Sequence, residues 1–129
     1  RFQGATGIHI CGHTRDRWEE VIGTGVSGFW VDNCESIKEL KECYGDRVAI
    51  SGNVPPVDVL KNGTFEQIDQ AIKQCIMEAG DNPMGYNLCP GCTTPVDTTK
   101  ENMIAFMNAA AKYGRGARKG CMPKGITEL

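Results

Sequence analysis

A repeating order of short apolar segments and amphipathic helices constrains the fold of this chain more than any other feature. The apolar segments predict four strands, at residues 6–11, 28–32, 47–52 and 84–88. Continuously apolar strands are typical of a parallel sheet that is buried on both faces. Because right-handed crossovers place consecutive strands side by side, the sequence predicts an α/β protein whose four parallel strands alternate with helices.

The helices are marked by capping residues as well as by apolar spacing. They are predicted at residues 14–23, 35–44 and 64–80, and from residue 98 to just before the glycine at 114, with a helical turn at 56–61. Thr64 with Gln67, and Thr98 with Glu101, have the spacing of capping boxes. The helix at 64–80 has a continuous apolar stripe, which predicts a scaffold element rather than a site.

Two architectures share this order of elements: a small open doubly wound sheet and half of a (β/α)8 barrel. A closed barrel has about 250 residues, whereas this chain has 129. The start, Arg1-Phe2-Gln3-Gly4, has neither an initiator Met nor the apolar segment of a signal peptide, and we expect it to lie in the middle of a fold. These features favour a half-barrel, which we assign to residues 1–113.

Composition excludes several classes of function. Sixteen acidic and fourteen basic residues leave a net charge of -2, so general binding of nucleic acid through positive charge is not expected. No stretch approaches the roughly 20 apolar residues of a membrane span. The seven cysteines are odd in number and lie in apolar periodic segments, which favours a reducing cytoplasm over a secreted disulfide framework.

The composition changes at residue 114. Residues 114–129 are rich in glycine and carry four basic residues against one acidic residue. We predict a basic C-terminal tail, which either contacts an anion or a partner or is a solvated extension.

Polar and sulfur-containing residues collect where the predicted strands end. The four ends are His9-Ile10-Cys11-Gly12-His13, Asp32-Asn33, Gly52-Asn53 and Asn87-Leu88-Cys89-Pro90-Gly91-Cys92. In parallel α/β folds the carboxyl ends of the strands meet at one edge, where binding and catalytic residues gather. We predict Asp32, Asn53 and Tyr86 as substrate-binding residues, and His13 and Asn33 as polar loop residues.

His9, Cys11 and Cys92 together predict a metal site at this edge. His9 and Cys11 are two residues apart, so on a strand they point to the same side, about 6.6 Å apart along the chain. Zinc binds Cys and His in tetrahedral geometry, and a catalytic zinc site keeps one position open. With Cys92 from the neighbouring strand end, three protein ligands would leave the fourth position free.

Three other interpretations of these residues stay open at this point. Cys89 could complete a closed structural site as a fourth ligand. Cys89 and Cys92 could instead form a redox-active dithiol. The same groups could also be unliganded thiols in a polar pocket.

Several longer runs extend beyond the ligand pattern. The first run is Gly52-Asn53-Val54-Pro55-Pro56-Val57. The second is Pro90-Gly91-Cys92, together with the nearby Pro95, Thr98-Thr99 and Glu101-Asn102. The third is Ile8-His9-Ile10-Cys11-Gly12. The first two resemble the uroporphyrinogen decarboxylase superfamily. The third is similar to one branch of it, the zinc-dependent methylcobamide:coenzyme M methyltransferases and related corrinoid methyltransferases. The resemblance covers roughly residues 5–113 and implies the C-terminal half of the family's TIM barrel.

The resemblance implies a site and a reaction. His9, Cys11 and Cys92 match the branch's zinc ligands, and Cys89 is a departure because the branch does not need a cysteine there. A methyl group would pass between a corrinoid protein, which supplies the cobalamin-type cofactor, and a small-molecule thiol or another acceptor. Two thiolates and a neutral imidazole bring Zn²⁺ to zero net charge and favour the thiolate form of a bound substrate thiol.

The resemblance also leaves two alternatives. One is the metal-free decarboxylation of a tetrapyrrole, as in the superfamily's decarboxylases, although His9 and Cys11 argue against it. The other is a non-catalytic half-barrel that needs its own N-terminal half or self-association, because an open half-barrel exposes sheet edges and apolar surface.

Overall fold

Four parallel strands form the centre of the computed structural model, which describes residues 4–129. The strands are β1 (Gly7–Ile10), β2 (Gly28–Val31), β3 (Ala49–Val54) and β4 (Tyr86–Pro90). They pair in the order of the sequence, β1-β2-β3-β4, and every pairing is parallel. The predicted fold class is therefore confirmed.

Helices follow each strand. They are α1 (Trp18–Gly23), α2 (Ile37–Tyr44), α3 (Phe65–Ala79), α4 (Lys100–Tyr113) and α5 (Lys124–Thr127), with a 3-10 turn at Arg15–Arg17 and a π-helical turn at Pro56–Lys61. None of the helices in the described part of the chain combines the length and the apolar character needed to cross a membrane.

The two predicted capping boxes have different outcomes. At the start of α3, the Gln67 backbone N–H donates to the Thr64 hydroxyl and the Gln67 side chain accepts from the Thr64 N–H, as predicted. The prediction for Thr98 is wrong, because α4 begins one residue later. Thr99 is its N-cap, and its hydroxyl accepts a hydrogen bond from the Asn102 N–H at 3.2 Å.

The register gives the sheet two unlike faces. One row of paired residues packs against the helices, on what we call the helix-covered face: Ile8, Phe29, Ile50 and Tyr86. The next residue along each strand points to the opposite side of the sheet, on what we call the open face. These paired residues are His9, Trp30, Ser51 and Asn87. The open-face residues are half-buried or exposed. Within residues 4–129, the open face is thus covered less completely than the helix-covered face.

The core lies between the helix-covered face and the helices. Phe29, Val31 and Ile50 are fully buried on the sheet side, and Ile68 and Ile72 of α3 are fully buried opposite them. The apolar stripe predicted for α3 is thus the face that packs onto the sheet, and α3 also contacts α4 extensively.

Residues 114–129, predicted as a basic tail, fold back against the helices. Pro123 and Gly125 are buried, and the Gly125 N–H donates to the Arg115 carbonyl at 3.0 Å. A Cβ at Gly125 would lie only 2.3 Å from the Lys112 carbonyl oxygen, so this segment approaches the end of α4 closely. Part of the segment, around residues 122–126, is therefore packed against the helices, whereas residues 115–121 are exposed.

Candidate metal centre

His9, Cys11 and Cys92 meet at the carboxyl end of the sheet. The imidazole Nε2 of His9 lies 3.2 Å from the Sγ of Cys11, which lies 3.3 Å from the Sγ of Cys92. One donor atom from each residue lies within 4.8 Å of the others. The structure thus brings together the three residues that the sequence pointed to as ligands.

The His9 ring is held in one orientation by β2. Its Nδ1 lies 2.9 Å from the Trp30 carbonyl oxygen, which can only accept a hydrogen bond, so Nδ1 carries the proton in the neutral ring. The lone pair is then on Nε2, the atom that faces Cys11. A ligating histidine typically has its other nitrogen fixed in this way by a carbonyl or carboxylate group.

Trp30 connects the two strand ends that carry the ligands. Its indole ring stacks on His9 at 3.9 Å between ring centroids. Its Nε1–H donates to the Pro90 carbonyl at 2.8 Å, two residues before Cys92. Sequence reasoning treated Trp30 as part of an apolar run and missed this role, although the period of two along a strand places it on the same face as His9 once the register is known.

The turn that presents Cys92 depends on Gly91. Gly91 is buried, and its N–H donates to the Val54 carbonyl at 2.8 Å. A Cβ at Gly91 would lie 2.5 Å from the Asn33 backbone nitrogen, which is closer than real Cβ atoms approach. The absence of a side chain at Gly91 therefore allows the β4 loop to pass against the β2 loop and to bring Cys92 to His9 and Cys11.

The structure does not place Cys89 in this group. The strand β4 ends at Pro90 rather than at the predicted residue 88, so Cys89 lies inside the strand, paired with Asn53. Burial, and then the nearby Cys75, raises the pKa of the Cys89 thiol to about 11. Cys89 is therefore a protonated thiol at neutral pH, and its sulfur is not among the three donor atoms that lie within 4.8 Å of one another.

The two clustered thiols differ in acidity. Hydrogen bonding to the His9 side chain, and then to Cys11, lowers the pKa of Cys92 to about 7. The hydrogen bond with Cys92 raises the pKa of Cys11 above its ordinary value. The group therefore shares a proton between its sulfur atoms, and a bound cation would favour the loss of that proton.

These donors fit a zinc ion. One imidazole nitrogen and two sulfur atoms are ligands that zinc accepts, and three protein ligands are the number found at catalytic zinc sites. In the neutral form of the ring, Nε2 of His9 faces Cys11 with its lone pair and Nδ1 is fixed by a carbonyl oxygen, which is the arrangement that metal binding requires. The cluster is accessible, because Cys11 is exposed and Cys92 is half-buried.

Asp32, one of the predicted substrate-binding residues, organises the loops around the site. Its carboxylate accepts hydrogen bonds from the N–H groups of Gly12 at 2.9 Å and Cys34 at 3.1 Å. Burial by itself would raise the pKa of Asp32, but these backbone hydrogen bonds hold the pKa below its ordinary value. Asp32 is thus an ionised, half-buried group beside the cluster, and it remains a candidate for contact with a substrate.

The other two predicted substrate-binding residues point elsewhere. Asn53 is buried, and its amide nitrogen donates to the carbonyl oxygens of Asp32 at 3.1 Å and Glu35 at 2.7 Å. Tyr86 packs on the helix-covered face and its hydroxyl donates to the Gly52 carbonyl. Both side chains are used inside the fold, so the structure does not support substrate contact by either.

Comparison with known proteins gives one family and two kinds of relative. A family model for uroporphyrinogen decarboxylase (URO-D) matches residues 3–113. Methylcobamide:CoM methyltransferase MtbA from Methanosarcina acetivorans is 33% identical over 108 residues, which are 84% of this chain and 30% of that protein. Uroporphyrinogen decarboxylase from Pseudoalteromonas atlantica is 29% identical over 102 residues, which are 79% of this chain and 28% of that protein.

Among solved structures, a methyltransferase from Methanosarcina mazei is similar in fold. The TM-score is 0.73 at 28% sequence identity, and the match covers 84% of this chain and 31% of that chain. The four parallel strands with their helices are therefore a partial TIM barrel. The chain spans about 30% of the length of the relatives that it matches.

Proposed function

The chain belongs to the uroporphyrinogen decarboxylase (URO-D) family, and we propose that it carries the zinc centre of a corrinoid-dependent methyltransferase. The observation that carries this proposal is the convergence of the His9, Cys11 and Cys92 donor atoms within 4.8 Å. The similarity to a methylcobamide:CoM methyltransferase supports it. The proposed reaction moves a methyl group between the methylcobamide of a corrinoid protein and a small thiol such as coenzyme M.

Zinc at this centre, when bound, would supply a Lewis acid that lowers the pKa of an incoming thiol and keeps it as a nucleophilic thiolate. In the proposed transfer, the thiol proton would pass to solvent and the substrate sulfur would then take the methyl group. A carbon–sulfur bond would form, the cobalt–carbon bond of the partner's methylcobamide would break, and its electron pair would stay on cobalt. The corrinoid protein is the proposed partner, because the methyl donor in this reaction is its cofactor.

The protein side chains have separate tasks in this proposal. Cys11 and Cys92 supply two negative charges once both are ionised, and His9 supplies a neutral donor, so the charge of Zn²⁺ is balanced before substrate arrives. Trp30 fixes the His9 ring relative to the Cys92 loop, because its carbonyl oxygen hydrogen-bonds to His9 and its indole N–H hydrogen-bonds to the Pro90 carbonyl. Because both thiolates must stay reduced to act, a reducing compartment such as the cytoplasm suits the proposal.

The surroundings of Cys92 suit a small substrate better than a polyanion. A shallow pocket beside Cys92 on the open face is lined by Trp30, Ser51, Asn87, Cys89, Thr93 and Thr94, with Pro90 at its edge. No Lys or Arg residue of the described chain lines this pocket. Binding of a tetrapyrrole through its carboxylates would need cationic groups, so decarboxylation would depend on groups from outside the residues that line this pocket.

The open face and the sheet edges suggest how the centre is covered. The strands β1 and β4 are the edges of the described sheet, and unpaired strand edges readily pair with another chain. We propose that the remaining strands of a barrel, or a second copy of this chain, pair with these edges and enclose the open face.

X-ray absorption at the zinc edge tests the centre. The zinc-loaded protein is measured with and without coenzyme M. We expect two sulfur neighbours that rise to three when the thiol is added, because its sulfur takes the open position. The Cys89→Ala variant should give the same spectra, whereas Cys92→Ser should lose the tightly bound zinc.

Two results would overturn the proposal. Three sulfur neighbours before thiol addition, unchanged by the thiol and reduced in Cys89→Ala, would mean that Cys89 closes the site. The centre would then be structural. Failure of the wild-type protein to retain zinc at all would remove the basis of the mechanism.

A further inference from the structure

We propose that His13, Cys34 and Glu35 form a second site for a zinc-like divalent metal ion. The imidazole, the thiol and one carboxylate oxygen of these residues lie within 4.8 Å of one another. The His13 Nδ1 is 3.6 Å from the Glu35 Oε1. None of the three residues belongs to the His9, Cys11 and Cys92 centre, so the two sites can be tested separately.

The Glu35 carboxylate is the strongest reason to expect a cation here. Its side chain is only 5% exposed, and His13 is the one ion-pair partner it has in residues 4–129. The imidazole of His13 is 85% exposed and is neutral unless protonated. Buried charges in proteins are normally paired or bind a metal. Among the described residues, backbone N–H groups of Thr14 and Arg15 hydrogen-bond to this carboxylate, but no Lys or Arg side chain forms an ion pair with it, so a metal ion would supply the positive charge it lacks.

The ligands come from two loops that are already fixed relative to each other. The Glu35 Oε1 accepts the N–H groups of Thr14 at 2.5 Å and Arg15 at 3.3 Å, which ties the loop after β1 to the start of α2. Asp32 ties the same two loops through the N–H groups of Gly12 and Cys34. A metal ion would therefore need to order only the exposed side chains of His13 and Cys34.

The donor set matches zinc chemistry. An imidazole nitrogen, a thiolate and a carboxylate oxygen are all zinc ligands, and the two anionic groups balance a divalent charge. Because His13 and Cys34 are exposed, solvent can complete the coordination. We expect this ion to exchange faster and bind more weakly than the ion at the first centre, where the ligand residues include two thiolates.

Metal titration separates the two sites. Equilibrium dialysis of the wild-type protein with zinc should give two equivalents, one tight and one weak. Cys34→Ser and His13→Ala should lose the weak equivalent and keep the tight one. Cys43→Ser, which removes another exposed cysteine, should keep both. Cys92→Ser should lose the tight equivalent and keep the weak one. Loss of zinc at one site can therefore be measured independently of zinc binding at the other.

Cobalt gives a direct readout of the sulfur ligand. With Co²⁺ in the Cys92→Ser background, the weak site should show a sulfur-to-cobalt charge-transfer band that disappears in Cys92→Ser/Cys34→Ser. His13→Ala and Cys34→Ser change exposed side chains, and unaltered circular dichroism establishes that they fold. A single zinc equivalent in the wild type would overturn the proposal. So would a weak equivalent that persists in the His13→Ala/Cys34→Ser double variant, because it would then be bound elsewhere.

Discussion

The two faces of the sheet are built from alternate residues of the same strands and are used differently. On the helix-covered face, Phe29 and Ile50 are fully buried among apolar side chains. On the open face, Trp30 and Ser51 are only half-buried and lie on the side of His9. Since strand side chains alternate between faces, neighbouring residues can stabilise the fold on one side and position ligands on the other.

This difference predicts that stability and metal binding can be changed separately. Burying a side chain such as Phe or Ile stabilises a fold by about 1.5–3 kcal/mol, so the helix-covered face should dominate the free energy of unfolding. The three proposed ligands, His9, Cys11 and Cys92, are exposed or half-buried and contribute little apolar burial. Substitutions on each face should therefore affect one property and spare the other.

Ile72→Ala should give the largest effect and should act on stability alone. Ile72 of α3 is fully buried, so truncation should lower the free energy of unfolding by about 2–5 kcal/mol. Urea unfolding of the metal-free protein measures this loss, and zinc titration of the folded fraction should give an unchanged affinity. Gln70→Ala, an exposed position on the same helix, is the control for both measurements. A large loss of zinc affinity in still-folded Ile72→Ala would mean that the two faces are coupled.

Much of the fold could be predicted from local sequence because its signals are local. The capping box of Thr64 and Gln67 and the apolar stripe of α3 depend on residues within a few positions of one another. The error at Thr98 has the same origin, since two adjacent threonines offered alternative N-caps and only the structure selects Thr99. A half-barrel predicts an uncovered sheet face, but only the register of the strands shows which residues it carries.

The candidate site was predicted less completely because its support is not local. His9, Cys11 and Cys92 could be chosen from ligand type and from the ends of strands. The hydrogen bond from Trp30 to Pro90 joins residues 60 positions apart, and no sequence pattern indicates it. The position of Cys89 inside β4, paired with Asn53, was likewise not indicated by the local sequence.

Gly91→Ala should have an intermediate effect on both stability and zinc binding, because it changes the contact between the β2 and β4 loops that meet at the candidate metal centre. The added Cβ would lie 2.5 Å from the Asn33 backbone nitrogen, so either the β2 loop or the Cys92 turn must move. We expect a loss of stability of about 1–3 kcal/mol and weaker zinc binding, measured by unfolding and by chelator competition. Gly23→Ala, where an added Cβ meets nothing within 4 Å, is the control. Wild-type zinc affinity in Gly91→Ala would show that the close approach at Gly91 does not position Cys92.

Trp30→Phe should give the smallest effect, and it should act on metal binding more than on stability. Phenylalanine keeps an aromatic ring beside His9 but cannot donate the hydrogen bond to the Pro90 carbonyl, which Trp30 makes at 2.8 Å. Loss of such outer support for a ligand typically weakens metal binding by about 10–100-fold, and we expect the lower end of this range because the stacking remains. Competition with a chelator measures the change.

Trp18→Phe is the matched control that decides how the Trp30 result is interpreted. The Trp18 indole N–H also donates one hydrogen bond, to the Thr14 hydroxyl at 3.1 Å, but Trp18 is buried in the core. Loss of that bond, worth about 1 kcal/mol, together with the smaller ring in the core, should lower the free energy of unfolding and leave zinc affinity unchanged. If both variants weakened zinc binding equally, the effect of Trp30 would reflect general loosening of the fold. If only Trp30→Phe weakens zinc binding, the hydrogen bond from Trp30 to the Pro90 carbonyl is what positions Cys92 beside His9.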